Sequence, residues 1–381
     1  HDSLMSGICA IKPLQIQDAD LLSIKIGAMV EDYYEQDLFT INEQSLFDRY
    51  TQFAVIAARE AFQQSGLEIK EKNSEKVGVI LGNSGGGLRT LDENYKNIFL
   101  HQKKRLHPFI VPKLMANSAS SQLSILFNIT GPSYTVSSAC ASSNHAMGQA
   151  FKLIQMGQLT AVVTGGSESM LCFGGLKAWE SLRVMTNTKC RPFSKNRNGM
   201  SQGEGAAIFI FEEYESACKR GAEIIGEVVG FSMTSDAVDI IRPSKAGAKR
   251  AMISALEDAR IKSDNIDYIN AHGTGTVIND KTESSAINEV FYGVSAPPLV
   301  SSTKSMHGHL IGGAGAIEFV SCLMSINRSV VPPTVNFEER DPECNINIVA
   351  NKPREKNVEF ALSNAFAFGG ANSVLIVKKF S

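Results

Sequence analysis

Apolar positions along this 381-residue chain switch between helical and extended spacing, and they do so twice in the same order. In the first half, "FAVIAAREAFQQSG" repeats its apolar residues at intervals of three and four, which predicts a helix. A polar link leads to "KVGVILG", a short apolar run of the buried-strand kind, and then to the glycine-rich turn "NSGGG". In the second half, "AKRAMISALEDARI" predicts the matching helix, "NIDYIN" the strand and "AHGTGT" the turn. A second pattern follows in each half. "SYTVSSAC" runs into "SSNHAMGQAFKLIQMG", where Met147, Ala150, Phe151 and Ile154 fall at helical spacing, and "PLVSSTKSMHGH" runs into "GAGAIEFVSCLMSI". Both halves close on glycines and a strand, "GEGAAIFIFEE" and "GGANSVLIVKK". The repeated order implies a duplicated α/β unit joined near Lys219–Ala222, with halves of residues 1–219 and 220–381. No long linker separates them, so they are expected to pack as one body.

Duplication changes the standing of scattered residues. If a pseudo-twofold relates the halves, their strand ends converge on one cleft, and Cys140 of the first half faces His272 and the "TKSMHGH" turn of the second. Cys140 lies where an extended run becomes a helix. Unpaired N–H groups and the helix dipole there favour an anion, which would ease loss of the thiol proton. The local residues leave open the alternative of a small buried hydrophobe.

Composition narrows the classes. The chain is 43% hydrophobic and 20% charged with a net charge of -2, enough for a sizeable core and nothing to attract nucleic acid or an anionic membrane. Seven cysteines, scattered and without CxxC spacing, suit a reducing, cytoplasmic setting better than a disulfide framework. No apolar run reaches the ~18 residues of a membrane helix, and no signal peptide is visible. "NSGGG" and "HGTGT" lack the spacing of phosphate-binding loops. The chain begins at His1 rather than Met, so leading residues are expected to precede it.

Four ordered motifs, "SSACASSNHA", "NAHGTGT", "SSTKSMHGHLIGGAGAIE" and "SNAFAFGGANS", together resemble the β-ketoacyl–acyl carrier protein synthases, condensing enzymes of the thiolase superfamily. The long-chain type II group is most similar, and the likeness covers essentially the whole chain. It implies a duplicated, layered αβαβα fold, a leading strand missing before "SGICAIKP", and a decarboxylative condensation of an acyl thioester with malonyl-carrier, giving 3-oxoacyl-carrier without a cofactor or metal. Cys140 would take the acyl group as a thioester. His272 and His309 would be neutral donors to the enolate left by decarboxylation, with Lys304 disfavouring their protonation and Glu318 in support. The N–H groups of Cys140 and Phe368 would form a second oxyanion hole. Thr274 and Thr276 would hold the carrier's pantetheine arm, Phe368 would gate the site, and Phe366 is divided between gating and core packing. "SACASSNHA", "LKAWESLRV" and "HGTGTVIND" also resemble the nodulation-type synthases, which build unusual acyl chains.

Other residues fall to plainer roles or depart from the pattern. His101, His107, His145 and His307 read as structural. The family's "RPFDxxRDGF" stands here as "RPFSKNRNGM", with Met200 where a pocket-lining phenylalanine is common. Gly85 occupies the place of a branched aliphatic side chain against the end of the acyl pocket, so the floor there is expected to be open. Ile110 would reach the same pocket across a homodimer, paired through the strand "LTAVVTGG". Lys103, Lys104 and Arg105 are expected to dock the acidic carrier. A thiolase would carry a second reactive cysteine near Asn364–Gly370, an initiating synthase an asparagine in place of His309, and a papain-like hydrolase no duplication. A catalytically inactive subunit that only sets chain length would lack Cys140.

Overall fold

Two sheets carry the repeat seen in the sequence. The computed structural model describes residues 2–380. Helix α1 (Arg49–Ser65) starts at Asp48, whose carboxylate accepts the Tyr50 N–H at 3.3 Å, and buries Tyr50, Phe53, Ala54, Val55 and Ala58. Strand β1 (Val77–Gly82), buried at every position, leads to helices α2 (Leu88–Phe99) and α3 (Ser118–Leu126). Strand β2 (Ser133–Val136), helix α4 (Ser142–Gln155), and strands β3 (Ala161–Glu168) and β4 (Gly205–Glu212) complete the first set. The sheet order is β2-β1-β3-β4, with β1 parallel to β2 and β3, and β4 antiparallel to β3.

The second set comprises β5 (Glu227–Ser235), α5 (Lys245–Ala259), β6 (Tyr268–Asn270), α6 (Val277–Val290), β7 (Leu299–Ser301), α7 (Ala314–Arg328), β8 (Phe360–Phe366) and β9 (Ala371–Lys378). Its sheet order is β5-β9-β8-β6-β7. The run β7-β6-β8-β9 repeats β2-β1-β3-β4 strand for strand, in the same parallel and antiparallel senses, and β5 is added beside β9.

Helices α1 and α3 cover the outer face of the first sheet, and α5 and α6 that of the second. Between the sheets lie α4 and α7, each packed on strands of both. Sheets buried on both faces read as continuous apolar runs rather than alternating ones, as "VGVILG" does. The start of α4 sits directly on the first sheet: a Cβ on Gly82 would overlap the Ser143 backbone nitrogen. That close approach carries the residues before α4 to the end of β1.

One expectation is overturned. "LTAVVTGG" is β3, hydrogen-bonded to β1 on one side and β4 on the other, and buried throughout. It is no edge. Parallel crossovers place it centrally, and the half-buried edge beside β1 is β2.

Candidate active site

Cys140 stands on a tight elbow between β2 and α4. Ala139 has φ 48°, a left-handed conformation that costs a non-glycine residue energy and needs support. Support comes from the Ser142 hydroxyl, which donates to Ala139 O at 2.7 Å and accepts the Ser138 N–H at 2.9 Å. The Ser138 hydroxyl is 2.6 Å from His145 Nδ1, so His145 braces the elbow. The helix begins at Ser142, with Ala141 as its cap, so Cys140 lies just outside it. Burial pushes the Cys140 thiol up to about 12, against the lowering influence of Lys304 and the Phe368 N–H. The expected acidification by the helix start is therefore corrected: desolvation outweighs it.

The second half supplies two imidazoles. His272 follows β6, and the carboxylate of Glu283 on α6 accepts the N–H groups of His272 and Gly273 at 2.8 and 2.7 Å. Asn364 of β8 donates to the same carboxylate at 3.0 Å. Lys304, fully buried, donates to His272 O at 2.6 Å, lies 3.4 Å from His272 Nδ1, and pairs with buried Glu318. His309 is held by its own backbone, donating to Ser201 O at 2.7 Å and accepting from Gly203 N at 3.0 Å. The two rings cross at 84° with centroids 5.4 Å apart.

Their hydrogen bonds identify the tautomers. The Ile311 N–H donates to His309 Nδ1 at 3.1 Å, so that nitrogen is an acceptor and the ring proton sits on Nε2. His309 Nε2 is buried with no partner, a free donor facing the cleft. The Lys304 ammonium against Nδ1 assigns His272 likewise. Both rings are held well below the usual histidine range, by desolvation first and by Lys304 next. Cys140 Sγ and a nitrogen from each ring lie within 4.8 Å of one another. A thiol thus faces two neutral N–H donors, an arrangement suited to acyl transfer followed by an anionic intermediate.

Residues 2–217 match the beta-ketoacyl synthase N-terminal domain and residues 225–338 its C-terminal domain. The chain belongs to the beta-ketoacyl synthase family. Nodulation protein E of Rhizobium leguminosarum bv. trifolii is 42% identical over 376 residues, covering 99% of this chain and 93% of that protein. The 3-oxoacyl-[acyl-carrier-protein] synthase 2 of Staphylococcus aureus (strain COL) is 36% identical over 386 residues, covering 100% and 93%. Among solved structures, the ishigamide ketosynthase/chain length factor superposes with a TM-score of 0.94 at 30% identity, covering 100% of this chain and 94% of that one. A type II polyketide acyl-carrier protein in complex with its ketosynthase, AntDE:AntF, gives 0.89 at 25% identity, with the same coverage. This ketosynthase is accordingly a condensing enzyme with the layered thiolase-like fold.

The remaining candidates divide. Phe366 is buried and meets the His272 ring edge-on at 6.1 Å. Phe368, half-buried, stacks on Trp179 at 5.9 Å. Thr274 and Thr276 share a hydroxyl–hydroxyl hydrogen bond of 2.9 Å. Met200 is buried in one apolar cluster with Cys140, Met170, Met185 and Ile311. Ser194, in the departing "RPFSKNRNGM", accepts the N–H groups of Glu338 and Glu339 at 3.2 and 3.1 Å. His307 bonds Thr303 Oγ1 at 2.9 Å and Gly308 O at 2.7 Å, a structural role. His101, His107, Lys103, Lys104 and Arg105 are exposed on the loop after α2, and Ile110 is half-buried beyond it. The floor beside Gly85 is not open: a Cβ there would overlap the Met170 Cε methyl. Gly85 lacks a side chain because Met170 fills the space.

Among the buried carboxylates not read from the sequence, two hold the turns of the site. Glu283 holds the His272 turn. Glu168 accepts the N–H groups of Ser84 and Gly312 at 2.9 and 3.2 Å, tying the turns of the two halves together. A signal for Glu283 existed: α6 buries Asn279, Asp280, Glu283 and Ser284, a polar face where an apolar one is normal.

Proposed function

We propose that the protein performs a decarboxylative Claisen condensation of an acyl thioester with malonyl–acyl carrier protein, giving 3-oxoacyl–acyl carrier protein. The single observation that carries this reading is the unpartnered Nε2–H of neutral His309, set with His272 around the Cys140 sulfur. In the first step the Cys140 sulfur attacks the acyl-carrier thioester, and the carrier leaves as a thiol with the cysteine's proton. The Cys140 and Phe368 N–H groups receive the tetrahedral oxyanion. In the second step, malonyl-carrier loses carbon dioxide, and the electron pair left behind becomes an enolate whose oxygen accepts from His272 and His309. The enolate carbon attacks the Cys140 thioester, and the freed sulfur regains a proton. Burial, helped by Lys304 paired with Glu318, keeps both rings neutral. The relative named as a 3-oxoacyl synthase supports the reaction, and the ketosynthase bound to an acyl-carrier protein supports the partner.

The inactive chain-length subunit is the competing reading, prompted by the neighbour named as a ketosynthase/chain length factor. The complete Cys140, His272 and His309 set favours the active enzyme. The same three atoms have the spacing of a metal trio; the Lys304 ammonium beside them opposes a cation.

The carrier would dock at exposed Lys103, Lys104 and Arg105, with its pantetheine arm along Thr274 and Thr276. Purified protein given acyl-carrier and malonyl-carrier should release 3-oxoacyl-carrier. Reversing Lys104 and Arg105 to glutamate should raise KM for acyl-carrier several-fold and flatten its salt dependence; unchanged KM would reduce these residues to a solvated face. A homodimer in the cytoplasm is part of this proposal. Its pairing edge would be β2, the edge of the first sheet, because such an edge is normally paired or covered. Sedimentation as a monomer at micromolar concentration would refute it.

A further inference from the structure

The turn that carries Gly85 cannot yield. The Ser84 N–H donates to Glu168 at 2.9 Å and the Gly85 N–H at 3.3 Å. The Gly86 N–H bonds Asn83 Oδ1 at 2.7 Å and the Gly87 N–H bonds Leu114 O at 2.8 Å. A left-handed backbone is found at Gly86, φ 60°, and not at Gly85, so conformation does not demand a glycine at position 85. Space does. An added Cβ would overlap the Met170 Cε methyl and lie 3.2 Å from its Cγ. Met170 follows β3 directly, with its carbonyl fixed by the Cys172 N–H at 2.8 Å. Its side chain ends against the Gly85 turn and belongs to the apolar cluster that contains Cys140, Met185 and Met200.

We propose that Met170 is a specificity-determining residue: its thioether side chain, cradled by Gly85, is the movable floor of the acyl site and sets how long a chain Cys140 accepts. This deepens the ketosynthase reading and rests on it. Gly85 and Met170 are complementary in size, one giving up the volume that the other takes. A branched side chain on the rigid turn would be a fixed stop. Methionine has three rotatable bonds and no branch, so it can change rotamer where Val or Ile would not. Met185 and Met200, in the same apolar cluster, are equally adaptable side chains. The ligand is an acyl chain long enough to reach beyond Cys140 to the Gly85 turn, and shorter chains leave the floor in place.

The test is the ratio of kcat/KM for a 16-carbon over an 8-carbon acyl-carrier, with malonyl-carrier as partner. Met170→Ala should raise the ratio about tenfold, since each methylene newly buried is worth roughly a factor of four. Gly85→Ala should lower it, by driving the methionine methyl into the acyl space. Gly85→Ala combined with Met170→Ala should return it towards the wild-type value, because the new Cβ then meets no methyl group. If Met170→Ala does not fold, Met170→Leu keeps the volume but stiffens the floor, and should lower the ratio at least threefold. An unchanged ratio in these folded variants, or a Gly85→Ala effect that Met170→Ala fails to relieve, would overturn the proposal. A wild-type protein that condenses neither chain would instead refute the ketosynthase reading, which separates the two failures.

Discussion

Cys140→Ala is expected to abolish both acyl transfer and condensation while leaving the fold intact. The site is buried among small residues, and only a sulfur atom is removed. Cys140→Gln should also lose condensation but keep malonyl decarboxylation, because a neutral amide beside His272 and His309 imitates the acylated cysteine. Mass spectrometry of the wild-type protein after exposure to acyl-carrier should find the acyl mass on Cys140, and neither variant should carry it. Full condensation by either variant would end the assignment. The thiol's burial adds a sharper expectation. Its proton is held up to about 12, so alkylation of Cys140 by iodoacetamide should keep accelerating through pH 8.5, where an ordinary thiol is about half ionised. A plateau near that pH would mean that Lys304 and the Phe368 N–H outweigh desolvation.

Cys140 also marks the boundary of what the sequence made legible. Its place at a strand-to-helix junction, and its meeting with His272 and His309, followed from a repeat visible in the apolar spacing. That spacing works for α1 and α5, each with one face on a sheet and one in water. It fails for α4, which lies between two sheets. There Ser142, Ser143, Asn144 and His145 are all buried, so small and polar residues stand where a stripe would be read. The apolar spacing accordingly begins only at Met147, although the segment from Ser142 was readable as the helix from its place after the strand. Sheet order was not legible either: nothing local distinguishes β3, central and paired on both sides, from an edge strand of similar composition. Complementary partners distant in the chain are hidden for the same reason. Gly85 alone suggests open space; Met170, 85 residues on, closes it.

His309→Ala should lower malonyl decarboxylation by about 10² to 10³-fold, the scale of one oxyanion donor, while acylation of Cys140 by acyl-carrier continues. The split follows from geometry. In the proposed mechanism the free Nε2–H would serve the enolate, whereas the acyl oxyanion would be served by backbone N–H groups. Equal loss of both steps would point to collapse of the site. Wild-type decarboxylation should be flat with pH near 6.5, since both rings are already neutral there; a limb falling towards acid with its midpoint at 6.5 would contradict the donor assignment. Stability gives an independent reading of the same proton. The folded-state pKa of His309 lies below its unfolded value of about 6.5, so its contribution is fully present above that pH and is lost as pH falls below it. His272 and His307, the latter lowered to about 3, act in the same direction. Glu168, Glu283 and Glu318, each raised to about 7, act oppositely: their contribution is present below about 4.3 and is lost as pH rises through 7. The glutamates cancel when wild type is compared with His309→Ala, and His272 is still held low in the variant by desolvation and Lys304. Between pH 6.5 and 5.5, as the unfolded-state histidine goes from half to nearly full protonation, the wild type should therefore lose about 1 kcal/mol relative to the variant, measured by denaturant unfolding at each pH. A constant difference would mean that His309 is as easily protonated in the folded protein as in the unfolded chain.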